Sequence, residues 1–237
     1  MTQLPIKRVS RSEQAQLDPA AWPASLPAVS HLLRDGLEPG QLTILVGENG
    51  SGKSTIVEGI AGAYGLSAEG GSTGARHSTR PTESALWRDL KITREVGASH
   101  WGFFLRAETM HGLYTYLEAN PGRAEPRFHE MSHGESFLAI LEHRFDSPGL
   151  YVLDEPESAL SFGGCLALVG VLAQITRSET AQAIVATHSP IVAAVPGARI
   201  LEVGEWGLRE VAWDELELVQ NWRSFLDAPA RYLRHVV

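Results

Sequence analysis

The chain has 237 residues, of which 43% are hydrophobic and 20% are charged, as is usual for a soluble globular protein. A formal net charge of -8, from 20 Lys and Arg against 28 Asp and Glu, opposes general attraction to polyanions. The single cysteine, Cys165, excludes an internal disulfide framework and a zinc site built from several cysteines. The length suits one α/β domain, so we predict a single domain over residues 1–237.

The N-terminal residues 1–30 are rich in proline and alanine, which predicts extended chain and turns. Residues 1–12 are polar and lack the apolar core of a signal peptide, and no apolar run in the sequence reaches the roughly twenty residues of a membrane span. We therefore expect a cytoplasmic protein that does not itself insert into a membrane. Residues 29–37 fit either a short helix or a strand.

The first chemical motif begins where an apolar strand meets a run of glycines. Residues 47–55, GENGSGKST, match the phosphate-loop pattern G-x-x-x-x-G-K-[ST], and a helical pattern follows. Glycines let successive backbone N–H groups surround phosphate oxygens, and the following helix adds the positive end of its dipole. Lys53 would meet the β- and γ-phosphates of a nucleotide, and the Ser54 hydroxyl would hold Mg²⁺. The predicted nucleotide-binding residues are Gly47, Glu48, Asn49, Gly50, Ser51, Gly52, Lys53, Ser54 and Thr55.

The next part of the chain alternates between flexible composition and strand patterns. Residues 65–82 are dense in Gly, Ser and Thr, which predicts a long loop, either functional or a tolerated surface insertion. Strands are predicted over residues 85–96 and 100–106. A basic cluster in this part is the best candidate for a polyanion-binding patch, although such clusters are more often solvated surface. It consists of Arg76, Arg80, Arg88, Lys91 and Arg94.

Helical patterns dominate the second half of the chain. Residues 109–120 predict a helix, and a polar turn then opens into another helix with Ser132 and Glu135 at capping-box spacing. An apolar helix is predicted over residues 161–176. The C-terminal residues 204–237 complete a hairpin and then show helical spacing, so we expect the tail to pack against the sheet.

Three polar side chains follow the two apolar strands predicted in this half. Residues 150–153 deliver Asp154 and Glu155 at a strand's carboxyl end, where α/β proteins bind ligands. In a phosphate-loop protein the first carboxylate helps to hold Mg²⁺, and the second activates the attacking water. His188 follows the strand over residues 182–187, where it either contacts the γ-phosphate or has a structural role. We predict one site, with Glu155 and His188 catalytic and Ser54 and Asp154 at the metal.

The order of these motifs resembles the ATP-binding-cassette ATPase superfamily over about residues 40–203. The matching segments are residues 47–55, 132–136 (SHGES), 151–156 (YVLDEP), 158–161 (SALS) and 187–190 (THSP). The resemblance implies a phosphate-loop NTPase with a mainly parallel sheet flanked by helices, an antiparallel β portion and a reduced helical segment. It also implies that Ser132, Gly134 and Glu135 belong to a signature motif that contacts ATP on the opposite subunit. ATP would then assemble a head-to-tail homodimer.

Departures from the usual transporter pattern refine this expectation. The signature has His133 and Glu135 where transporter cassettes usually have glycine and glutamine. By the resemblance, Glu108 replaces the usual glutamine at the metal. Only residues 109–131 separate Glu108 from the signature, which predicts a small helical and signature segment over residues 109–145. These features resemble soluble ATPases related to the chromosome-maintenance and recombination-repair group.

Three functional hypotheses follow from the resemblance. The leading one is a soluble ATPase that hydrolyses ATP to ADP and phosphate and acts on an unknown protein or DNA partner through dimer closure. The alternative is the ATP-hydrolysing subunit of a membrane transporter, which needs a transmembrane partner. A binding switch that scarcely hydrolyses ATP is the third, and the presence of Glu155 argues against it.

Overall fold

The computed structural model describes residues 3–67, 70–73, 84–106, 147–234 and 236. Within these ranges the strands are β1 Arg8–Arg11, β2 Leu42–Val46, β3 Gly71–Ser72, β4 Leu90–Thr93, β5 Gly102–Arg106, β6 Gly149–Asp154, β7 Ala181–Thr187, β8 Arg199–Gly204 and β9 Gly207–Glu210. The α-helices are α1 Pro27–Asp35, α2 Lys53–Tyr64, α3 Phe162–Ile175, α4 Glu217–Asp227 and α5 Pro229–Leu233. Short 3-10 turns cover Ala85–Asp89, Pro156–Ala159, Val192–Ala194 and Trp213–Glu215.

The centre of the fold is a seven-stranded sheet in the order β3-β5-β6-β7-β2-β8-β9. The five central strands are parallel, while β3 and β9 pair antiparallel at the two edges. The predicted fold class, a mainly parallel α/β sheet with an antiparallel portion, is therefore confirmed. The carboxyl ends of β6, β7 and β2 lie side by side, so the chain segments that follow them meet at one edge.

Helices cover both faces of this sheet. β2, β6 and β7 are buried along their whole length, as expected for parallel strands between two helical layers. Successive side chains of a strand point to opposite faces, so Ile44 joins the core beneath α3, while Leu45 joins the core beneath α1 and α2. The predicted apolar helix is α3, and Cys165 on it is buried.

The prediction of one strand over residues 85–96 is wrong in its first half. Ala85–Asp89 is a 3-10 turn, capped by the Ser84 hydroxyl, which accepts a hydrogen bond from the Leu86 N–H at 3.1 Å. Glycines at positions 59 and 62 of α2 leave room for the side chains of Leu86 and Trp87 to pack closely against the helix. An extended strand would not place both side chains there, because its successive side chains point to opposite faces. Only β4 is extended, and it pairs antiparallel with β1 outside the main sheet.

The two chain ends differ in part from the predictions. The predicted extended N-terminal segment contains β1 and the start of α1, which begins at Pro27, a residue well suited to a first helical position. At the C-terminal end the β8–β9 hairpin is confirmed. The tail packs only in part, because Leu216 and Val219 are buried whereas Trp222 and Leu226 are exposed.

Several predicted segments lie outside the described residues. These are the helical and signature segment at residues 109–145 and, apart from residues 65–67 and 70–73, the loop at residues 65–82.

Candidate functional site

The loop between β2 and α2 follows the path that the phosphate-loop pattern requires. Gly52 directly precedes α2 and has a left-handed backbone, with φ of 100°. No side chain caps this end of α2, so the N–H groups of its first turn can face a ligand. Gly47 lies against β8, where a Cβ atom would overlap the carbonyl oxygen of Val203. Residues of other types would strain both positions.

Lys53 is buried beneath this loop, with 3% of its surface exposed. Its Nζ donates hydrogen bonds to the carbonyl oxygens of Gly47 and Glu48, both at 2.8 Å. Burial lowers the pKa of Lys53, and the negative charges of Glu155 and Asp154 partly oppose that effect. An ammonium group has three protons, so one remains for an anionic ligand while two hold the loop.

The two predicted motifs meet through Ser54 and Asp154. The Ser54 hydroxyl donates a hydrogen bond to Asp154 Oδ1 at 3.0 Å, although 100 residues separate them in the sequence. A hydroxyl and a carboxylate are oxygen ligands of the kind Mg²⁺ binds alongside substrate phosphates and water. No cluster of three or more His, Cys, Asp or Glu able to hold a metal occurs in the described part of the chain. The donor chemistry of Ser54 and Asp154, one hydroxyl and one carboxylate, fits a magnesium ion.

Arg106 adds a positive charge beside Asp154 that the sequence reasoning did not assign. One guanidinium nitrogen lies 2.8 Å from Glu58 Oε1 on α2, and Nε lies 3.5 Å from Asp154 Oδ2. β5 and β6 are neighbours in the sheet, and their register places Arg106 opposite Asp154. The arginine links the helix after the phosphate loop to the carboxylate at the end of β6.

Glu155 has an unusual backbone conformation. Its φ of 49° and ψ of 50° are left-handed, and it is the one non-glycine residue with positive φ among those the structure describes. Such a conformation costs roughly 1–2 kcal/mol for an L-residue and is found where surrounding structure imposes it, often at functional sites. The Glu155 N–H donates to the Ala186 carbonyl oxygen at 2.9 Å, which continues the pairing of β6 with β7 by one residue.

His188 lies beside Glu155 at the end of β7. Its Nδ1 is 3.6 Å from Glu155 Oε1 and 3.6 Å from Glu157 Oε1, and its side chain is partly exposed. Glu157 is a residue of this group that the sequence patterns did not predict, because the acidic-pair motif ends at Pro156. The only available signal was the extra carboxylate directly after Pro156.

The structure does not describe the remaining predicted site residues or the whole of the basic cluster. Glu108, Ser132, Gly134 and Glu135 lie outside the described residues, as do Arg76 and Arg80 of the basic cluster. The three remaining members of that cluster have local partners. Arg88 lies over the Trp87 ring, Lys91 pairs with Glu13 at 3.4 Å, and Arg94 lies over the Tyr64 ring.

The parallel sheet, the phosphate loop after a central strand and the acidic pair at the same edge define a phosphate-loop NTPase. Residues 33–158, more than half of the chain, match the protein-family model described as ABC transporter. The chain belongs to this family. Its members bind and hydrolyse ATP, so the chain is an ATPase.

Named relatives agree with the family assignment. The chain is 28% identical over 189 residues to the zinc import ATP-binding protein ZnuC of Paracoccus denitrificans (strain Pd 1222), covering 74% of this chain and 69% of ZnuC. It is 26% identical over 181 residues to the aliphatic sulfonates import ATP-binding protein SsuB 1 of Rhodococcus jostii (strain RHA1), covering 73% and 71%. Among solved structures, the SMC head domain from Thermotoga maritima superposes with a TM-score of 0.41 at 17% identity, covering 74% of this chain and 92% of that domain.

The described ranges contain five α-helices. None of them combines the length and the apolar composition that crossing a bilayer requires.

Proposed function

We propose that this chain binds ATP with Mg²⁺ on residues 47–55 and hydrolyses it with Glu155 as the general base. The observation that carries the proposal is the 3.0 Å hydrogen bond from Ser54 to Asp154, which joins the phosphate loop to the acidic pair. Glu155 follows Asp154 directly, so a carboxylate that can accept a proton lies next to the pair that would hold the metal. This arrangement matches the division of labour in phosphate-loop ATPases.

Each residue then has a distinct task. Lys53 and the N–H groups at the start of α2 bind and orient the phosphates. Ser54 and Asp154 would hold Mg²⁺, which when bound would supply positive charge to offset the charge that develops on the leaving group. Glu155 accepts a proton from the water that attacks the γ-phosphorus, and His188 donates a hydrogen bond toward the γ-phosphate. Glu108 is a further candidate at the metal.

The proposal extends to a head-to-tail homodimer that ATP assembles. Glu155 and His188 are partly open to solvent, with side chains 30% and 42% exposed, so this side of the site can accept a second surface. By the family resemblance, Ser132, Gly134 and Glu135 of the second copy supply that surface. The reciprocal contact would close two ATP molecules at one interface.

We further propose that the ATPase drives a membrane transporter as its ATP-hydrolysing subunit. Relatives named as import ATP-binding proteins support this role better than the DNA-related soluble ATPase that the motif departures favoured. One observation still supports the second candidate. Only residues 109–131 lie between Glu108 and the signature, which is short for a helical subdomain that docks on a membrane partner.

Two measurements test these proposals in sequence. Purified wild type should release phosphate from ATP only with Mg²⁺, and Glu155→Gln should remove that activity while keeping ATP binding. Hydrolysis in the variant equal to wild type would refute the assignment of Glu155.

The second measurement tests the transporter role. The chain is tagged in its native host, extracted from the membranes with detergent and purified with any bound partner. Its ATPase activity is measured separately with duplex DNA. A polytopic membrane protein that copurifies and raises the ATPase rate supports the transporter role, whereas stimulation by DNA alone contradicts it.

A further inference from the structure

Glu157 is a buried carboxylate to which the proposed mechanism gives no task. It lies in the turn Pro156–Ala159, two residues after Glu155, and 9% of its surface is exposed. A carboxylate is rarely buried to this degree without a compensating set of partners. Because Glu157 lies next to the residues proposed to react, its partners can affect the geometry of hydrolysis.

Glu157 accepts two hydrogen bonds from the end of β7 and the residue that follows it. Oε1 accepts a hydrogen bond from the Thr187 hydroxyl at 2.6 Å and from the His188 backbone N–H at 2.7 Å. Thr187 is fully buried, and its hydroxyl oxygen accepts in turn from the Ser189 N–H at 2.9 Å. Glu157 therefore ties the turn after β6 to Thr187, the last residue of β7, and to His188, which follows it.

The same oxygen also faces the imidazole ring of His188. Nδ1 lies 3.6 Å from Glu157 Oε1 and 3.6 Å from Glu155 Oε1, so the same edge of the ring faces both carboxylates. Nδ1 and the second oxygen of Glu157, Oε2, are both buried and have no hydrogen-bond partner among the described residues. Leaving two buried polar atoms without hydrogen bonds costs free energy, so their occurrence together at this site indicates a functional role.

We propose that Glu157 is a positioning residue that holds His188 in register with Glu155 for hydrolysis. This inference rests on the proposed function of Glu155 and His188. Its hydrogen bonds hold the His188 main chain, and its negative charge attracts the imidazole edge that faces Glu155. Glu157 does not contact substrate in this arrangement and acts only through His188.

The charge and the hydrogen bonds of Glu157 can be separated by substitution. Glu157→Gln keeps an acceptor oxygen for Thr187 and His188 but removes the charge. Thr187→Val removes one donor and keeps the side-chain shape, whereas Thr187→Ser keeps the hydroxyl. Glu205→Gln is the matched control, because Glu205 is an exposed residue in the turn between β8 and β9.

Steady-state ATP hydrolysis is measured for these variants, for His188→Ala and for the double variant Glu157→Gln/His188→Ala, with a thermal melt for each. We expect Glu157→Gln to lower kcat by about tenfold, a typical effect of breaking a coupled polar pair. The KM for ATP should stay within about twofold, since Lys53 and the phosphate loop, which supply most of the phosphate contacts, are unchanged. The double variant should be no slower than His188→Ala alone. Thr187→Val should lower kcat, Thr187→Ser should restore it, and Glu205→Gln should match wild type.

Three results would overturn the inference in a protein whose hydrolysis depends on Glu155. The first is a Glu157→Gln kcat equal to wild type, and the second is losses that multiply in the double variant. The third is Thr187→Val hydrolysing like wild type, which decides the matter even if the Glu157 variant does not fold. If Glu155→Gln hydrolyses ATP as well as wild type, the proposed function fails and the positioning role fails with it.

Discussion

Replacing Lys53 with alanine should severely weaken ATP binding without unfolding the protein. The Nζ atom makes two 2.8 Å hydrogen bonds to the loop carbonyls of Gly47 and Glu48, which place it under the phosphate position. Alanine removes the charge that would face the phosphates and also releases the two carbonyls that shape the loop. The substitution therefore affects both the direct contact and the preorganised loop.

The lost contact sets the size of the expected change in the Kd for ATP. A hydrogen bond between charged groups contributes about 1.5–3 kcal/mol, and each 1.4 kcal/mol changes a Kd tenfold. Loss of the phosphate contact alone should raise the Kd for ATP by roughly 10- to 100-fold. Loosening of the loop adds to this, so we expect a value at the upper end or complete loss of measurable binding.

Isothermal titration with Mg²⁺-ATP at constant ionic strength measures the change. Lys91→Ala is the matched control, since Lys91 is exposed and pairs with Glu13 at 3.4 Å. It removes the same net charge far from the loop and should bind ATP like wild type. If Lys53→Ala keeps a normal melting curve and binds ATP as tightly as Lys91→Ala, the phosphate-loop assignment is refuted.

Three further predictions follow from the same geometry. Glu155→Gln should accumulate an ATP-bound dimer on sizing chromatography, and a monomer at saturating ATP would contradict the homodimer proposal. Gly47→Ala should lower the free energy of unfolding by about 1–3 kcal/mol, because its Cβ overlaps the Val203 carbonyl oxygen. An unchanged urea midpoint would refute that clash. Burial lowers the pKa of Lys53, so the unfolded state binds more protons between the lowered value and 10.5. Wild type should therefore gain stability relative to Lys53→Met as the pH rises toward 10.5, measured by denaturant unfolding; a constant difference would contradict this.

The elements around the site differ in how far their sequence predicts them. β2, the glycine loop and α2 are contiguous, and their conformation depends on residue types within one short segment, so pattern reasoning predicts them well. The strands at β6 and β7 are recognisable as apolar runs for the same reason. Residues 85–89 show the opposite case, since their 3-10 turn depends on packing against glycines of α2 that lie far away in the chain.

Neighbour relations at the sheet edge could not be deduced in the same way. Arg106 meets Asp154 because β5 pairs with β6, and no periodicity in either segment encodes that pairing. Glu157 gains its meaning only when the end of β7 lies beside the turn after β6. The exposed Trp222 likewise follows from where α4 crosses the core, although its helical spacing resembles that of the buried Val219.

Residue chemistry at short spacing was enough to identify a phosphate-binding loop, an acidic pair and the family resemblance, because those features depend on local backbone geometry. The strand order decided which of the polar groups at the ends of β5, β6 and β7 contact one another. Long-range pairing sets those distances, and a one-residue change of register would separate them. The sequence therefore predicted the phosphate loop, the acidic pair and His188, while the fold determined that Nδ1 of His188 faces both Glu155 and Glu157.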